Sequence, residues 1–176
     1  VSHTRPDVAF DTSDLGGSLG QDANGHVLEQ ANKLVRKIKA HDDVCIIIRP
    51  VGRTPYDIGI YTMQDASHGI RSYGGITIFC TDAATVREIP FGTEDAWVQA
   101  NLIFWRCRVL HRVIKSTFGA ETISCIDNLD LSIFLSRIFG EMITGHVGYK
   151  IPTCAATDCK SLFSNTHTMN SKQEEK

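Results

Sequence analysis

The sequence predicts an α/β domain in the order strand, strand, strand, helix, strand, helix. Three observations carry that expectation. β-branched and aromatic runs recur at 57–64, 76–80 and 102–114; a broad apolar stripe of helical period occupies 123–142; and a short apolar run at 151–156 leads into a second helical pattern. With 176 residues, 42% hydrophobic and 22% charged, the chain fits one ordinary domain with a short appendage and can bury a core.

Residues 11–25 (DTSDLGGSLGQDANG) are rich in Gly, Asp and Ser and read as loop. Val27, Leu28, Ala31, Leu34, Val35 and Ile38 then recur at helical spacing, an amphipathic helix of about three to four turns. Its other face carries Lys33, Arg36, Lys37 and Lys39, a solvated face or a phosphate-facing one. A β-branched run at 45–48 ends at Pro50 and reads as a strand, and after Gly52 and Pro55 the 57–64 run alternates as another. Gly74 and Gly75 open the 76–80 strand, 81–101 reads as an irregular connection, and LIFWRCRVLHRVI at 102–114 forms the next strand. Ser116 or Thr117 caps a helix whose stripe is Ile123, Ile126, Leu131, Phe134, Leu135, Ile138, Phe139 and Met142, ending before Gly145. The 151–156 run is a buried strand, and Asp158 precedes the helical pattern CKSLFSNTHTM.

Composition excludes several classes. A net charge of −2 rules out a uniformly basic nucleic-acid binder, so phosphate contacts must come from local clusters. The six cysteines (Cys45, Cys80, Cys107, Cys125, Cys154, Cys159) form no CxxC pair and read as reduced and mostly buried, which argues against structural zinc. No apolar stretch reaches the roughly 18 residues of a membrane span, and the first residues lack a signal pattern, so a soluble, intracellular protein is expected. Nucleus and cytoplasm are not distinguished. The start at Val1 and the polar stop after 171–176 read as ends cut from something longer. GxSxG, Walker and HExxH patterns are missing, which leaves competing enzyme classes with little support.

Three acids remain. Each alone has a structural reading: Asp65 a turn residue at a strand end, Glu121 a first-turn acid favoured by the helix dipole, Asp158 an N-cap. Together, one ends the first strand of a meander, one enters the following helix and one ends the next strand. That order can bring three carboxylates to one edge. Carboxylate oxygens hold hard divalent cations, and two Mg²⁺ ions about 4 Å apart can stabilise both attacking and leaving oxygens of a phosphodiester displacement.

The segments QDASHG (64–69), STFGAET (116–122) and ATDCKSLFSN (156–165) resemble, in order, the three acidic motifs of the RNase H domain in copia-type retrotransposon Pol polyproteins. FWRCRVLHR (104–112) resembles the basic, tryptophan-containing strand before the glutamate motif. TRPDVAF (4–10) and ANKLVRKIK (31–39) resemble the end of the reverse transcriptase and its connection, so the resemblance covers nearly the whole chain. It implies a reverse transcriptase end and connection over 1–45 and an RNase H-like domain over 46–176, with a mixed sheet and packed helices, C-terminally incomplete. The segment 83–99 reads as an insertion, and the family's fourth acidic position has no counterpart before Lys176.

By this likeness Asp65, Glu121 and Asp158 are the catalytic metal ligands for two Mg²⁺ ions, with Mn²⁺ as substitute. The implied reaction is hydrolysis of the RNA strand of an RNA:DNA hybrid during reverse transcription, with water as nucleophile. The implied partners are the hybrid and the rest of the Pol polyprotein, with no membrane. Arg106, Arg108, Arg112 and Lys115 are implied phosphate contacts, with Arg106 and Arg108 on one strand face by the period of two, or else a solvated strand edge. Ser67 and Ser161 sit beside acids and contact substrate or serve as turn and cap hydroxyls. Trp105 is read as core, and His68, His111 and His167 as surface residues. The alternative is a non-catalytic, decayed or domesticated fragment that keeps the scaffold for interaction.

Overall fold

A computed structural model describes residues 5–19, 24–88, 98–110 and 114–166. Its centre is a four-stranded mixed sheet of order β3-β2-β1-β4, built from β1 (Ile58–Ser67), β2 (Tyr73–Asp82), β3 (Ala100–Val109) and β4 (Thr153–Thr157). β1, β2 and β3 form the expected antiparallel meander, and β4 returns parallel to β1 after a helical crossover. The α/β class, the mixed sheet and the packed helices agree with the sequence-based expectation.

The helices are α1 (Ala9–Ser18), α2 (Gly25–Ala40), α3 (Ala83–Glu88), α4 (Thr117–Thr144) and a last helical stretch at 160–166. α4 starts and stops where its chemistry dictates. Ser116 Oγ accepts from the Gly119 N–H at 3.1 Å, and Gly145 closes the helix at φ +70°, a conformation that glycine adopts without a Cβ penalty.

α4 meets the sheet with a row of mostly small and polar residues, flanked by part of its apolar stripe. Its buried residues are Ala120, Glu121, Ser124, Asn128, Ser132, Ser136 and Gly140, mostly a row at four-residue spacing. Small side chains let the helix lie close to β1, where Asn128 Nδ2 donates to Thr62 Oγ1 at 3.0 Å and Ser136 Oγ donates to the Ile151 carbonyl at 2.8 Å. Leu131, Leu135 and Phe139 flank that row and pack on the core of Ile60, Ile76, Ile78 and Ile151. Ile126, Phe134 and Met142 point to solvent, 54%, 57% and 75% exposed, so the stripe is divided between core and surface.

Four other expectations change. The 11–25 loop contains α1 through Ser18: Phe10 packs its ring 5.2 Å from that of Tyr73, Tyr73 donates to Asp14 Oδ1, and Lys37 of α2 reaches Asp11 at 2.7 Å. Tertiary contacts outweigh the weak helix propensity of Gly and Ser. The 81–101 connection contains α3, with Asp82 Oδ1 accepting from the Ala84 N–H at 2.8 Å and Ala83 and Val86 buried. Gly59 makes this possible, since a Cβ there would sit 2.6 Å from Val86 Cγ2.

The 45–48 run is not a strand and is exposed. The neighbouring Arg49 is held by a side chain, the Asn101 amide bonding both its N–H (2.9 Å) and its C=O (2.6 Å), rather than by a ladder. The cysteines are free, as expected, but Cys45 is exposed and the other five are only half-buried.

Candidate metal centre

β1 alternates cleanly. Ile60, Thr62, Gln64 and Ala66 turn toward α4 and are buried, while Met63, Asp65 and Ser67 face the other way. The strand runs two residues beyond Asp65, which pairs with Gly75 and so lies within the ladder rather than at the strand end. Parallel pairing sets Gln64 opposite Thr157, which places Asp158, just past β4, beside Asp65. Glu121, in the second turn of α4, reaches in from the helix side.

Asp65, Glu121 and Asp158 each present a carboxylate oxygen within 4.8 Å of the others, an arrangement that can hold a metal ion. The three carboxylates are held very differently. Glu121 is 5% exposed; its Oε1 accepts from the Ala66 N–H at 3.2 Å and its Oε2 from Gln64 Nε2 at 3.2 Å. Asp65 and Asp158 are exposed, and among the described residues neither carboxylate receives a hydrogen bond. Asp158 is not the helix cap. Thr157 Oγ1 accepts from the Cys159 N–H at 3.2 Å, and the following turn closes from Phe163 N–H to the Cys159 carbonyl at 3.0 Å.

Burial pushes the Glu121 carboxyl above its ordinary range. The bonds from Gln64 and Ala66 pull it back, and the charges of Asp65 and Asp158 push it up again. A carboxyl whose folded value is raised contributes stability that is complete below the unfolded value, near 4.3, and is lost as pH rises through the folded value. Metal-free protein should therefore lose stability as pH climbs out of that window, and Glu121→Gln should remove this dependence. Thermal melts across a pH series with chelator check it, and an unchanged pH profile in the variant counts against the assignment.

The other expected site residues are distributed around this centre. Arg106 and Arg108 do share a face of β3, and both guanidinium groups ion-pair with Asp127 of α4, the Arg106 pair at 3.8 Å. Lys115 is exposed just before α4. Arg112, His111 and His167 lie outside the described residues. Ser67 is exposed at the end of β1, and Ser161 Oγ lies 3.3 Å from Cys159 Sγ. His68 Nδ1 is 3.3 Å from Ser72 Oγ. Trp105 is half-buried rather than core. With Phe10, Met63 and Cys107 it lines a cleft of about 570 Å³ that Asp65 and Asp158 border.

Sequence reasoning missed Gln64, Thr157 and Asp127. For Gln64 a signal existed, because a polar side chain at an inward strand position must find a partner.

No known protein family, curated protein or solved structure matches the chain. Among the described residues no helix is long and apolar enough to cross a membrane.

Proposed function

We propose that this chain is a divalent-metal-dependent nuclease of RNase H type that hydrolyses the RNA strand of RNA:DNA hybrids, within a copia-type retrotransposon Pol polyprotein that also carries the reverse transcriptase. The observation that carries this reading is the convergence of three carboxylates, from β1, α4 and the end of β4, within 4.8 Å. The donor set fits the metal. All three donors are hard oxygens, and two have no competing hydrogen bond among the described residues.

Asp65, Glu121 and Asp158 would hold two Mg²⁺ ions, or Mn²⁺ in their place. Bound there, the ions supply charge stabilisation to the attacking and leaving oxygens of a phosphodiester. The chain itself binds and orients. In this reading Arg106 and Arg108 exchange Asp127 for phosphate oxygens, Arg112 and Lys115 are further phosphate contacts, and Ser67 and Ser161 serve as hydroxyls for the substrate backbone.

The test is a hybrid in which the RNA and DNA strands carry different labels, incubated with Mn²⁺ or Mg²⁺. The RNA strand should be cut and the DNA strand left whole, and Asp65→Asn should reduce cutting to the metal-free background. Binding of the hybrid without cleavage under Mn²⁺ would favour the non-catalytic scaffold instead.

A further inference from the structure

One side chain touches all three of the elements that supply the acids. Gln64 immediately precedes Asp65 on β1; its Nε2 donates to Glu121 Oε2 of α4 at 3.2 Å and to Thr157 Oγ1 of β4, the residue before Asp158, at 2.9 Å. It is 5% exposed. Its carbonyl oxygen, Oε1, is buried and accepts no hydrogen bond among the described residues.

An unpaired buried acceptor is itself destabilising, and Gln64 shares that feature with Asn128, whose Oδ1 is likewise buried without a partner among the described residues. What sets Gln64 apart is where its amide N–H groups go, to a carboxylate of the triad and to the hydroxyl beside another acid. Met at this position would fill nearly the same volume without an orphaned oxygen.

We propose that Gln64 is a positioning residue for the metal centre, a crossbar that fixes the Glu121 carboxylate against β1 and sets the spacing of β4, and so of Asp158, from it. This rests on the metal-site reading above. Groups that hold ligands in place typically change metal affinity by about 10–100-fold when removed. They act through the ligand they hold, so the effect must disappear when that ligand is already gone.

The experiment is Mn²⁺ titration by calorimetry on the parent, Gln64→Met, Glu121→Gln and the double variant, with thermal melts of each metal-free protein. Gln64→Met should stay folded, as the metal-free melts check, while binding Mn²⁺ about tenfold more weakly. In the Glu121→Gln background the same substitution should have much less effect, a coupling that a merely structural role would not produce. Thr157→Val and Thr157→Ser provide a second route that does not depend on Gln64→Met folding. Loss of affinity with Val and retention with Ser is expected, since only Ser keeps the hydroxyl.

If the parent binds Mn²⁺ and Glu121→Gln weakens it while Gln64→Met and Thr157→Val bind as the parent does, the crossbar is wrong and the metal site stands. If Mn²⁺ does not bind the parent, or binds Glu121→Gln equally well, the metal site itself falls and the crossbar with it.

Discussion

Asp65→Asn or Asp158→Asn should raise the melting temperature of the metal-free protein, and Glu121→Gln with Asp158→Asn should abolish stabilisation by Mg²⁺ or Mn²⁺. The acids lie within 4.8 Å of one another. Two unit charges at that separation repel by about 3 kcal/mol at an effective dielectric near 20. Asp65 and Asp158 are exposed, so solvent and salt reduce the gain from removing one charge to about 1 kcal/mol. For a chain of this size that is an increase of about 2–4 °C.

Metal reverses the balance. An ion that binds only the folded state adds about 1.4 kcal/mol at tenfold excess over its Kd and about 2.7 kcal/mol at a hundredfold, so the parent should show an upward shift of several degrees that keeps growing with the logarithm of ion concentration. Differential scanning calorimetry over a Mn²⁺ series reads both effects. Asn variants that melt below the parent and bind the ion unchanged would make Asp65 and Asp158 ordinary turn residues. A shift that survives in the double variant would locate the ion elsewhere.

Gly140→Ala should destabilise the fold and weaken metal binding together, although the residue is far along α4 from Glu121. A Cβ at Gly140 would collide with the Tyr149 carbonyl oxygen and lie 2.9 Å from its carbon. The obstacle is backbone, which cannot rotate aside as a side-chain tip can. Tyr149 belongs to the segment that leads from α4 into β4, and Ser136 Oγ ties the same segment down through the Ile151 carbonyl.

Replacing a helical glycine by alanine favours the helix by up to about 1 kcal/mol, but overpacking against a fixed neighbour costs about 1–3 kcal/mol, so the net change is a loss. Relief requires the 145–152 segment to move, and β4 with Thr157 and Asp158 moves with it. Gly16→Ala is the control. It sits in α1 with nothing within 4 Å of the added Cβ, so it should melt at or above the parent. Should Gly140→Ala behave like this control, with unchanged Mn²⁺ affinity, the helix does not press on the segment before β4.

Much of this molecule was legible in the residues themselves. Period-two alternation at 57–64 located β1 to within a few residues, Ser116 and Gly145 marked both ends of α4, and the order of Asp65, Glu121 and Asp158 along strand, helix and strand named the acids that the fold brings within 4.8 Å. These are local signals: alternation, capping and chain order are written in neighbouring residues and survive whatever the rest of the chain does. Other features depend on what lies opposite. Phe10 and Asp14 make a helix of a Gly-rich stretch only because Tyr73 is there to receive them, and Val86 does so for α3 only because Gly59 leaves room. Helical period showed that α4 has apolar residues on one side, but which side meets the sheet was decided by how closely Ser124, Asn128, Ser132 and Gly140 allow the backbones to approach. The roles of Gln64 and Asp127 belong to the same class. The sequence by itself determined β1 to β4, α4 and the chain order of the acids, because alternation, capping and order are local. Only the tertiary structure decided which side chains hold the acids and arginines, because a hydrogen bond between Gln64 and Glu121, 57 positions apart, exists only once β1 and α4 have packed.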